Sequence, residues 1–110
     1  GNFYWAGHPI HKVYDVLQWA SKHTCHTHVK NIRYPEDVRN TQREMGWEYG
    51  KYVCPLDEGD IDLGRVIDFL KGTGYTNTLC IEDESLHKFP ESDRKGILKR
   101  DADHLRGFLE

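Results

Sequence analysis

The sequence is sparing in cysteine and methionine, and its three cysteines, Cys25, Cys54 and Cys80, form no close pair. Without a CxxC pair, neither a zinc ribbon nor a dithiol redox motif is supported. An odd number of widely spaced cysteines reads as free thiols in a reducing, cytoplasmic compartment. Cys25 and Cys80 fall in predicted strands and read as small buried residues. No apolar run approaches the ~20 residues needed to span a membrane, and no secretory leader is visible. Positive charge is not in excess either: 15 Lys and Arg stand against 18 Asp and Glu, for a formal net charge of −3. That balance gives no global attraction to nucleic acid or to an anionic bilayer. No GxGxxG or Walker sequence cradles a phosphate. The acidic run Asp57-Glu58-Gly59-Asp60-Ile61-Asp62 lacks the alternating ligands of a calcium loop and reads as a turn before a helix cap.

Apolar residues are also few. They make up 37% of the 110 residues, and the mean hydropathy is −0.77. For one domain of this size that is little material for an independent core. The expectation is a single partial domain, residues 1–110, whose core is completed by segments outside it.

The periodicities alternate. Residues 1–9 read as a loop rich in aromatics and glycine. Val13, Val16, Leu17 and Ala20 recur at helical spacing within His11 to Lys22, and His23 to Lys30 follows as a strand. A long polar connection runs from Asn31 to Asp60; its Tyr34, Trp47, Tyr49 and Tyr52 argue for order, and Trp47, Tyr49 and Tyr52 suit a lid or an oligomer contact. Asp60 or Asp62 caps a second helix with Leu63, Val66, Ile67 and Leu70 as its buried stripe, and Gly72 and Gly74 end it. Thr78 to Glu82 reads as a strand. The last helix spans Glu91 to Leu109, with Ile97, Leu98, Ala102, Leu105 and Leu109 on its apolar face. Strands alternating with helices predict parallel pairing. Two parallel strands cannot close a sheet, and a (β/α)8 barrel needs roughly 250 residues. The expected fold is therefore α/β, the C-terminal part of such a barrel.

Chemistry concentrates at the two strand ends. Strand residues two apart share a face, which puts His26, His28 and Lys30 on one side of the first strand, and Cys80, Glu82 and Glu84 on one side of the second. His28 is a candidate metal ligand; the alternative is that the His-x-His pair is a hydrogen-bonded pair in a barrel interior. Glu82 follows an apolar run, and a carboxylate so placed can bind a metal or move a proton. Asp83 and Glu84 read as a solvated acidic turn. Lys30 and Arg33 can hold a hydroxyl, carboxylate or phosphate, or else serve as ordinary surface charge. Trp5, Phe3 and Tyr4 can wall a sugar or pack in the core.

At these residues the chain resembles the sugar phosphate isomerase/epimerase family, the xylose isomerase-like TIM barrels. The parts that look alike are Gly1-Asn2-Phe3-Tyr4-Trp5-Ala6-Gly7, His28-Val29-Lys30-Asn31, Pro55 to Asp62, Gly74-Tyr75 and Ile81-Glu82-Asp83-Glu84. The resemblance makes the two strands the seventh and eighth of the barrel, flanked by helices six to eight. It implies one divalent ion (Mn, Mg, Co or Zn), with His28 and Glu82 as two of its four ligands and an Asp and a Glu supplied from upstream. It implies proton transfer next to a carbonyl through an enediolate, with Glu82 as one acid/base group. Lys30 and His26 would position the oxygens of a sugar or sugar phosphate. Asn2 stands where relatives often carry a substrate-facing His, and Asn31 where many carry Asp. Homo-oligomers are frequent in the family. Two other activities fit related barrels: dehydration of a keto-inositol or similar polyol, and zinc-dependent hydrolysis of the endonuclease IV kind. The acidic balance disfavours the second. A barrel piece without catalysis is the remaining reading.

Overall fold

A computed structural model describes residues 1–110. Its regular elements are helix α1 (Asn2–Trp5), helix α2 (Ile10–Ala20), strand β1 (Thr27–Val29), strand β2 (Asn31–Ile32), helix α3 (Tyr49–Tyr52), strand β3 (Val53–Cys54), helix α4 (Leu63–Gly72), strand β4 (Leu79–Ile81) and helix α5 (Glu91–Leu109). No helix is long and apolar enough to cross a membrane.

The long helices follow the sequence periodicity. Pro9 opens α2, which buries Val13 and Tyr14. The Asp62 carboxylate accepts from the Arg65 N–H at 3.1 Å and so caps α4, whose Leu63, Ile67 and Leu70 are buried. Two expectations for α5 need correction. Leu98 and Leu109 are exposed, and the buried stripe is Ile97, Asp101 and Leu105, at i, i+4 and i+8. A carboxylate occupies the middle of that stripe.

β1 and β4 pair in parallel, as the alternation predicts, with His28 opposite Cys80 and Val29 opposite Ile81. They form a two-stranded sheet whose outer edges are unpaired. β1 begins later than expected. After α2 the chain makes a 3-10 turn over Ser21–His23, held by Ser21 Oγ donating to the Gln18 carbonyl at 2.8 Å and Thr24 Oγ1 to that of Ala20 at 3.0 Å. Cys25 therefore precedes the strand and is exposed rather than buried, and Cys80 is half-buried; all three thiols are free.

The two segments read as loops carry structure. Residues 2–5 form α1, which buries Tyr4 completely. The 31–60 connection folds back on itself. β2 and β3 pair antiparallel, with Asn31 opposite Cys54 and Ile32 opposite Val53. The Arg43 guanidinium ties this connection to α1. It lies 4.8 Å from the Tyr4 ring centroid and 4.4 Å from that of Tyr34, and it donates to the carbonyls of Tyr4, His8 and Val38. The core (Tyr4, Val13, Ile32, Tyr34, Leu56, Ile61, Leu63, Ile67 and Leu105 among others) thus gathers residues from both segments as well as from the helices.

Candidate active site

The site lies at the C-terminal ends of β1 and β4. Because the strands run parallel and in register, side chains of one face meet side chains of the other at the same height. The Glu82 N–H donates to the Val29 carbonyl at 2.8 Å, which continues the ladder one residue past β4 and seats Glu82 beside His28. His28 Nδ1 lies 3.7 Å from Glu82 Oε2. Lys30 Nζ lies 3.0 Å from the same oxygen and donates to Glu84 Oε1 at 2.9 Å. The second oxygen of Glu84 accepts the phenolic proton of Tyr49. Four predicted strand-end residues and one tyrosine from the long connection therefore form one chain: His28, Glu82, Lys30, Glu84, Tyr49.

Exposure divides this chain in two. The side chains of His28 and Glu82 are 51% and 36% exposed, whereas that of Lys30 is 10% exposed. His28 and Glu82 offer an open rim; Lys30 forms the floor. A Cβ on Gly1 would lie 2.2 Å from Lys30 Cγ, so the lysine stem runs hard against the backbone that leads into α1.

The electrostatics follow from the contacts. Burial alone would push the Lys30 ammonium towards neutrality, but its hydrogen bonds to Glu84 and Glu82 and their charges outweigh that, and its pKa moves up. Burial acts on Glu84 in the opposite sense and is likewise outweighed, by the hydrogen bonds from Tyr49 and Lys30, so its pKa moves down. Burial, and then the hydrogen bond to Glu84, hold the Tyr49 phenol well above its ordinary value. The result is a fixed cation between two carboxylates, with a permanent phenol donor behind it.

The remaining expected residues divide. Asn2, Trp5 and Phe3 from the start of the chain line a hollow together with Lys30 and Glu84. Asn2, Phe3 and Lys30 also line a second hollow that includes His26 and His28. The rings of His26 and His28 meet edge to face, 5.1 Å between centroids. Arg33 lies past β2 with its side chain exposed, and no hydrogen bond or ion pair joins it to the cluster. Asn31 turns out to be a scaffold residue. Its amide donates to the carbonyls of Leu56 (2.8 Å) and Ile61 (3.0 Å) and accepts from the N–H groups of Ile32 and Ile61, both at 3.0 Å.

Three acidic residues read as turn or cap are more than that. Glu84 anchors Lys30. Asp60, almost fully buried, accepts from Tyr4 Oη at 2.6 Å and the Tyr34 N–H at 2.9 Å and pairs with Arg39 at 2.9 Å, fastening the long connection to α1. Asp83 accepts from the Ser85 N–H and hydroxyl, while its other oxygen is buried without a partner, as is one oxygen of Asp101. Burial, and then the neighbouring Asp83 carboxyl, raise the Asp101 pKa. The Asp101 carboxyl therefore holds its proton to higher pH than an ordinary aspartic acid does.

Comparison with protein-family profiles, with curated proteins and with solved structures finds no match to this chain.

The donor set is compatible with a divalent ion. A separation of 3.7 Å between an imidazole nitrogen and a carboxylate oxygen is within reach of two ligands that each sit about 2.0–2.2 Å from one cation. The set is mixed nitrogen and oxygen and open to solvent, and its carboxylate oxygen is the one that Lys30 Nζ approaches at 3.0 Å, so an ion there takes the place of that ammonium contact or uses the other Glu82 oxygen.

Proposed function

We propose that this chain supplies two adjacent strand ends of a xylose isomerase-like (β/α)8 barrel, and that the barrel is a metal-dependent isomerase or epimerase of a sugar or sugar phosphate. The observation that carries the reading is the convergence of His28, Glu82 and Lys30 at the C-terminal end of a parallel strand pair. That is where active sites of such barrels lie. The unpaired outer edges of the sheet support it as well, since each can take a further strand.

His28 and Glu82 would hold the ion, together with carboxylates from neighbouring strands. When bound, a divalent ion there stabilises negative charge developing on a substrate carbonyl oxygen. The chain's own residues do the rest. The exposed Glu82 carboxylate can take a proton from the carbon next to the carbonyl and return it. Lys30 has three N–H donors and commits two of them, one to Glu82 and one to Glu84, leaving one for a substrate oxygen. Tyr49 keeps Glu84 ionised, and Glu84 keeps Lys30 charged and in place. Trp5 and Phe3 offer apolar surface for the face of a sugar ring.

The test is exchange of the substrate C–H proton with deuterated solvent, followed by NMR on the full-length protein with a panel of aldoses, ketoses and their phosphates. Wild type should exchange the hydrogen next to the carbonyl, and Glu82→Gln should abolish that exchange. Unchanged exchange in the variant would refute the role of Glu82. Net loss of water from the substrate would move the assignment to a dehydratase.

A further inference from the structure

We propose that His26, His28 and Cys80 form a binding site for a thiophilic divalent cation such as Zn2+, on the same face of the strand pair as the His28–Glu82 rim but one step deeper along the strands. One ligand atom from each residue lies within 4.8 Å of the other two. The backbone produces this grouping. His28 and Cys80 are register partners across the parallel ladder, and His26 lies two residues before His28, on the same face.

The donor chemistry selects the ion. Two imidazoles and a thiolate suit a borderline-soft cation, whereas Mn2+ and Mg2+ favour oxygen. Three protein ligands leave a fourth position open to water or substrate. Tetrahedral zinc holds such donors about 3.3–3.7 Å apart, given its ligand distances. Closing around the ion therefore takes about 1 Å of side-chain rotation, and both histidines are exposed and free to make it. Binding displaces the Cys80 thiol proton to solvent, so affinity rises with pH. An ion held here engages His28 and withdraws it from Glu82. A soft metal would then compete with a hard one for the same histidine. The site shares His28 with the isomerase reading but needs Cys80 and His26 and not Glu82, so the two can be tested separately.

Titration of the full-length, reduced protein with Co2+ tests the site, with absorbance read for the thiolate-to-cobalt charge-transfer band and far-ultraviolet circular dichroism checking that each variant folds. Wild type should develop the band, and Zn2+ should bleach it. The band should persist in Cys25→Ser, Cys54→Ser and Glu82→Gln, vanish in Cys80→Ser, and require much more Co2+ in His26→Ala, a change at an exposed position. No band in wild type, survival of the band in Cys80→Ser, or an unchanged titration in His26→Ala would overturn the proposal. Because Glu82→Gln should stop substrate proton exchange yet keep the band, failure of one reading is separable from failure of the other.

Discussion

The ammonium of Lys30 sits 3.0 Å from Glu82 Oε2 at the rim of two parallel strands, on a side chain almost wholly buried. Its position is set by a second carboxylate. Glu84 takes a second hydrogen bond from it at 2.9 Å, and Tyr49 in turn donates to Glu84. Glu82 is thus held by a buried cation whose own charge is secured by a second, equally exposed carboxylate.

This chain of contacts has a pH signature. The Lys30 pKa is raised on folding, so its contribution is fully present below about pH 10 and is lost as pH rises through the folded value. The Glu84 pKa is lowered, so its contribution is present above about pH 4–5 and is lost as pH falls through the folded value. Lys30→Met should remove the alkaline slope and raise the Glu84 pKa part of the way back, since the hydrogen bond from Tyr49 stays. Urea denaturation midpoints against pH, with NMR titration of Glu84, measure this. An unmoved Glu84 pKa would show that Tyr49 alone holds that carboxylate.

The Asp83–Asp101 pair predicts the opposite slope. The folded state keeps a proton on Asp101 that the unfolded chain gives up near pH 4, so wild-type stability should fall as pH rises from there towards the raised folded value. Asp101→Asn keeps an oxygen for the Leu56 N–H, which donates to Asp101 Oδ1 at 2.9 Å, and supplies a permanent donor towards Asp83. The variant should match wild type in acid and exceed it at neutral pH by about 1–3 kcal/mol. Thermal melts at a series of pH values decide; a wild-type profile flat from acid to neutral would contradict the raised Asp101 pKa.

Asn31 should tolerate no carboxylate. Its amide faces two buried carbonyls, so Asn31→Asp removes two donors and points negative charge at both oxygens. Destabilisation of about 2–4 kcal/mol is expected at neutral pH. It should be smaller in acid, where the protonated side chain regains one donor. The close packing is mutual: a Cβ on Gly59 would lie 2.0 Å from Asn31 Cγ, so Gly59→Ala should be destabilising too. Denaturant midpoints of the two variants check both statements. A neutral Asn31→Asp change would mean that water replaces the lost contacts.

How far the sequence carried the structure differs by element. α2, α4 and α5 were readable because one face of each repeats at helical spacing, and Asp62 stands where a cap is needed. The meeting of His28, Lys30, Glu82 and Glu84 follows from two short strands and their period of two. α1 and the β2–β3 pair were not readable, because they are held by partners far along the chain, such as Arg43 against Tyr4 and Asp60 against Tyr4 and Tyr34. The role of Glu84 depends on Tyr49, 35 positions away, which no local pattern reports. Asp101 could have been noticed: it stands between Ile97 and Leu105 on the buried stripe, where an acidic residue needs a partner.

Calorimetric titration of Mn2+ into full-length wild type, His28→Ala and Cys80→Ser tests the central claim most directly. The account predicts binding in wild type, the same binding in Cys80→Ser because a hard ion uses the rim oxygens rather than the thiol, and loss of binding in His28→Ala. Equal binding in wild type and His28→Ala, or none in either, would contradict it and leave His28 as a structural residue of the strand pair.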